Sequence, residues 1–201
     1  MKQFLFLILV CYSSIFIAQV PDYYNDVNLS LTGVNLKVAL ATKITNTHTN
    51  NLSYTPDIWE ASKITDINPD NSNEILLIYG YEDGSDTDIT NNRVAGINDN
   101  GSGSGLWNRE HVYSNSLATP NLDDSSENGP PYADAHNLRP CNGQRNSSRG
   151  NRKFSDSTGT ESGETSESYT NSNGNNQNGW YPGDEWKGDV ARMMMYMYLR
   201  Y

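Results

Sequence analysis

The strongest periodic signal in the chain lies at its end. Val190, Met193, Met194, Met197, Tyr198 and Tyr201 recur at i, i+3, i+4, i+7, i+8 and i+11, the spacing of one face of an α-helix. A helix with one apolar face has to be covered, so the rest of the chain must supply a packed surface for it. Its methionines read as core filling rather than as metal-binding thioethers. The pattern still runs at Arg200-Tyr201, with no glycine, proline or cap beyond it, and the natural protein is expected to continue.

The covering surface has to come from a chain of 201 residues, only 35% of them hydrophobic, which suffices for one domain with one core. Leu36, Leu40 and Ile44 repeat at four-residue spacing and predict a helix over residues 31–45. A second short helix is expected over 57–64, with Ile58, Trp59 and Ala61 to bury. The apolar run from Glu74 to Tyr81 reads as a buried strand, and Leu106 to Tyr113 as another. Residues 132–141 suggest a further short strand or turn. Asp83 to Asp88 lacks the distal glutamate of a calcium loop and reads as a solvated acidic turn, and His48 as an exposed loop residue. From Ser155 to Gly179 the chain is rich in Ser, Thr, Glu, Asn and Gly, too polar to pack, and a disordered surface insertion is expected. The expected fold class is therefore α+β, with helices at both ends and a small ββα unit between them.

Residues 1–18 have a single lysine, an apolar run from Phe4 to Val10 and small or apolar residues up to Ala18. That is the pattern of a secretory signal peptide cut after Ala18, leaving one domain over 19–201. Ser13 and Ser14 interrupt a run already short for a membrane anchor, so no membrane attachment is expected after cleavage. Loss of Lys2 takes the net charge from −10 to −11, and Cys11 leaves too, so Cys141 has no internal partner. The expected product is a soluble, secreted or periplasmic monomer whose overall field repels phosphate.

Against that negative background, Arg139, Arg145, Arg149, Arg152 and Lys153 fall within fifteen residues that hold no acid. If 142–153 is helical, Arg145, Arg149 and Arg152 share one face, bordered by Asn146. A local phosphate-binding patch is the reading favoured over a solvated face. His111 follows Arg109 and Glu110, and His136 lies two residues after Asp134. Together these side chains fit metal-assisted phosphodiester hydrolysis. Glu110 and the Asn146 carbonyl offer the oxygens a hard divalent ion prefers. A neutral imidazole can take a proton from water, and guanidinium groups can hold the phosphate. Adjacent residues of a regular strand point to opposite faces, so the strand must end or distort near Glu110-His111 if both are to serve one site.

The strings Asn108-Arg-Glu-His-Val112, Asp134-Ala-His-Asn-Leu-Arg-Pro140 and Gly143-Gln-Arg-Asn146-Ser-Ser-Arg149-Gly-Asn151 resemble those of the bacterial endonuclease I family. The resemblance implies a sequence-nonspecific nuclease built on a ββα-metal, or His-Me finger, motif. It makes His111 the general base and Glu110 and Asn146 the ligands of one Mg2+, with Mn2+ or Ca2+ as alternatives. Asp134 and His136 become supporting residues of the second strand, and Asn151 and Arg149 buttress the helix or meet phosphate. Residues 112–133 lack the arginine that family members often place there, which leaves Arg109, Arg145 or Arg149 to stabilise the phosphate. The implied substrate is DNA, with RNA as a second one. The rival reading is a non-catalytic module that binds extracellular DNA or another polyanion through Arg139–Lys153, a task that needs neither Glu110 nor His111. A zinc hydrolase is disfavoured because no histidine pair stands at helical four-residue spacing.

Overall fold

The computed structural model describes residues 20–122, 129–164 and 166–201; the expected signal peptide lies outside them. The architecture is mixed α+β. Helices α1 (Gly33–Thr47) and α2 (Asp57–Thr65) lead into strands β1 (Glu74–Leu76), β2 (Val94–Gly96), β3 (Trp107–His111) and β4 (Leu138–Asn142). Helix α3 (Gly143–Arg149), strands β5 (Ser168–Thr170) and β6 (Asn176–Asn178), and helix α4 (Lys187–Arg200) complete the order. Among the described residues the strands pair only two by two, antiparallel: β1 with β2, β3 with β4 and β5 with β6. None of the described helices is long and apolar enough to cross a membrane.

The apolar run from Glu74 onward is the centre of the core, but only its first three residues form a strand. Beyond Leu76 its backbone amides turn to different partners: Leu77 N–H donates to Arg93, and Ile78 N–H to Pro140 at the edge of β4. Tyr79 then adopts φ 70, and a side chain at Gly80 would strike the backbone of Asn92 at 2.2 Å, so this position has room only for glycine. The result is a buried knot rather than one long strand. Ile75 and Leu77 pack with Trp107. Ile78 and Tyr79 pack with Val112, Cys141, Trp180, Trp186 and Val190, with Met193 and Met194 against them.

Helix α4 covers this core with Val190, Met193 and Met194, while Met197 packs on Ala118 and Leu122. Tyr198 departs from the expected face: it is 71% exposed, and Lys37 of α1 sits 3.9 Å above its ring. The segment 155–179 also departs from expectation. It carries the β5–β6 hairpin, and Ser162 within it is buried. Hydrogen bonds anchor it where apolar contacts do not, because Ser162 Oγ bonds the Tyr79 carbonyl and accepts from Arg145.

Candidate active site

Strands β3 and β4 pair with Glu110 opposite Arg139 and His111 opposite Leu138. Strand β4 runs straight into α3, which starts there because the Asn142 carboxamide accepts hydrogen bonds from the Gln144 and Arg145 amides at 2.9 and 3.2 Å, an N-cap that satisfies otherwise orphaned donors. This strand–strand–helix succession brings Asn146 and Arg149 over the end of β3. The structure thereby gathers Arg109, Glu110, His111, Asn146, Arg149 and Asn151 around one open cleft of about 370 Å³, with Ser114 to Ser116 on its rim. The facing problem posed by adjacent strand residues is met because β3 ends at His111.

Glu110 points inward and is 2% exposed. Its Oε1 accepts from Tyr79 Oη at 3.0 Å and from Arg149 Nη1 at 2.7 Å. Burial raises its carboxyl to about 7, while Arg149 and Tyr79 pull the other way. Arg149, equally buried, also donates to the carbonyls of His111 and Val112 at 2.9 Å each. One guanidinium therefore fixes both the carboxylate and the backbone where the strand stops. Asn146 donates its amide nitrogen to Asn108 at 2.7 Å, so its carbonyl oxygen is the acceptor that the side chain keeps.

His111 is oriented from the opposite wall. Its Nε2 meets the Tyr132 carbonyl at 2.8 Å. A carbonyl only accepts, so Nε2 carries the proton and, in the neutral ring, Nδ1 is the lone-pair nitrogen. The ring lies parallel to Tyr54 at 5.7 Å and against Tyr132 at 4.8 Å. Burial lowers its pKa, outweighing the Tyr132 bond that raises it, so the imidazole is neutral at pH 7.

The basic run is not a shared solvent-facing patch. Arg139 pairs with buried Asp66. Arg145 bonds the Tyr79 carbonyl and Ser162, and Arg149 is consumed as described. Arg152 lies beyond α3, bonded to the Ser148 carbonyl at 2.6 Å and stacked on Trp180. Lys153 alone of the five is exposed, beside the Tyr169 ring. The sequence pattern was right about charge density but not about its use, since seven-residue α3 is too short to array all three arginines.

Arg109 lines the cleft while its guanidinium is held over Tyr54 and Trp59, at 3.6 and 4.0 Å from their ring centres, and bonds Thr55. Asn151 bonds Ser116 across the rim. Asp134 is fully buried and ties the approach to β4 to α4: its Oδ1 accepts from the His136 amide at 2.9 Å, and its Oδ2 accepts from Tyr196, Arg200 and Tyr201. His136 rests on Tyr196 and does not reach the cleft around His111. Sequence reasoning missed Tyr54, Tyr79 and Tyr132. Tyr132 stands beside a motif that was noticed, but Tyr79, 31 residues before Glu110, carries no local signal.

A family model described as Endonuclease I matches residues 32–201. Among characterised proteins, the chain is 40% identical over 186 residues to an extracellular ribonuclease of Bacillus subtilis (strain 168), and 38% identical over 186 residues to an extracellular ribonuclease of Bacillus amyloliquefaciens. In each case the match takes in 92% of this chain and 55% of the relative, so the chain spans about half the length of the curated relatives it matches. No solved structure matches it.

Proposed function

This chain belongs to the endonuclease I family, and on that premise we propose that it is an exported nuclease that hydrolyses phosphodiester bonds of RNA and DNA without sequence preference. The observation that carries the reading is that His111, whose Nδ1 keeps the lone pair, Glu110 and Asn146 line one cleft. Relatives named as extracellular ribonucleases favour RNA as a substrate and export by a signal peptide over residues 1–18.

The donor set suits a hard divalent cation such as Mg2+. Both hydrogen bonds to Glu110 end on Oε1, leaving Oε2 for an ion, and Asn146 offers a second oxygen. A cation held by Glu110 and Asn146 supplies positive charge that stabilises the phosphate as negative charge builds on it. His111 Nδ1 takes the proton of the attacking water, while Nε2–H, fixed on the Tyr132 carbonyl, steadies the imidazolium that forms. Arg109 lines the same cleft, and its charge is assigned to the phosphate. Arg149, with its two terminal nitrogens bonded to Glu110 and two carbonyls, is assigned a positioning role.

Incubating the purified protein with plasmid DNA and with RNA tests this reading. Cleavage is expected in Mg2+ and should stop in excess EDTA, and His111→Ala should lower the rate by at least ~100-fold with little change in melting temperature. Cleavage at the parental rate by His111→Ala, or in excess chelator, overturns the mechanism. The non-catalytic polyanion-binding reading lacks support, because four of the five cations between Arg139 and Lys153 are bonded internally.

A further inference from the structure

A second cleft has a volume of about 520 Å³. Tyr23, Tyr24, His48, His136, Tyr196 and Arg200 line it. Among the described residues no carboxylate does, although the protein carries ten more negative than positive charges. Its rings are held in place: Tyr23 is edge-on to Tyr24 at 4.8 Å and bonds Thr47, His48 bonds the Asn50 carbonyl, and His136 lies 4.9 Å from Tyr196. Tyr196 and Arg200 are both tied to Asp134. Several aromatic rings with no described carboxylate among them form a surface for stacking planar, uncharged bases.

Residues that pack on His111 lie close along the chain to residues of the second cleft. His111 leans on Tyr132 and Tyr54, while His136 and Asn50, four residues from each in sequence, line the second cleft. Four residues reach at most ~14 Å. The Gly129 amide bonds the Leu52 carbonyl at 2.7 Å, which ties the chain before Tyr132 to the chain before Tyr54. A strand with its phosphate beside His111 thus has an aromatic surface within a few nucleotides.

We propose that this second cleft is a nucleobase subsite, which stacks an unpaired base of a single-stranded substrate whose backbone passes through the cleft around His111. It rests on the nuclease reading for its purpose but not for its test. Binding is measured by fluorescence anisotropy in full-length His111→Ala protein, using a labelled single-stranded RNA of about twelve nucleotides and an abasic oligonucleotide of the same length. Adding Tyr24→Ala or His136→Ala should weaken binding of the base-bearing strand about tenfold and leave the abasic strand unchanged. Equal loss on both strands, or no loss on either, overturns the subsite. If the parental enzyme cleaves nothing yet the base-dependent loss is seen, the nuclease reading falls and the subsite stands.

Discussion

Tyr79 and Arg149 show how much of the cleft is set by buried side chains. Tyr79 holds a backbone conformation that non-glycine residues seldom adopt, kept there by bonds at both ends: its hydroxyl on Glu110 and its carbonyl under Arg145 and Ser162. Removing Arg149 strands a buried carboxylate, so Arg149→Ala should lower stability by ~3–5 kcal/mol in chemical denaturation. Arg149→Lys should recover only part of this, because an ammonium does not reproduce the fork on Glu110 and two carbonyls. Equal stability of the three proteins contradicts the clamp. Glu110 gives a pH prediction. Its carboxyl is raised in the folded protein, so the stability it contributes is present at low pH and lost as pH rises through about 7. A divalent cation replaces the proton, so Mg2+ should raise the melting temperature more at pH 8 than at pH 6. A Mg2+ effect independent of pH would remove Glu110 from the ion's ligands.

At the level of elements, what could be read from the sequence was what is local. Helix spacing placed α1, α2 and α4 to within a few residues, and the octet around Arg109 contained β3. What was hidden depends on distant partners. The run after Glu74 has strand composition but divides its amides between Arg93 and Pro140, and no local pattern reports that. Composition alone also gave the wrong answer for 155–179, where hydrogen bonding through Ser162 replaces apolar burial. Ser162→Ala should therefore loosen the β5–β6 segment and speed proteolytic cleavage within 155–179; an unchanged digestion pattern would mean that the segment is held by something else. The start of α2 is pinned by Asp57, whose carboxylate accepts from Ser53 N–H and Oγ at 2.8 Å each. These bonds lower its pKa, so their stabilisation is present at neutral pH and fades as pH falls below about 4. Asp57→Asn should weaken the helix start at pH 7 and remove that acid dependence in a melting series.

For the whole molecule, the charge balance decides how substrate is held. A protein of net charge −10 whose arginines are spent on its own carbonyls and carboxylates gathers little nucleic acid by long-range attraction. The logarithm of its affinity for duplex DNA against the logarithm of salt should fall with a slope shallower than about −2. Five phosphate contacts from Arg139 to Lys153 would give about −4.5, and a slope that steep would restore the polyanion-binding reading.

The carbonyl that steers His111 belongs to a turn whose Asp134 is gripped by Tyr196, Arg200 and Tyr201. Those contacts close loops of more than sixty residues, whereas the β3–β4 pairing and the contact of α3 with Glu110 close loops about half as long. Long closures are slow because the entropy of the intervening chain is lost before the contacts compensate. During refolding, then, the scaffold under the cleft can assemble well ahead of the tether that aims its imidazole, and catalytic competence should lag behind the recovery of secondary structure.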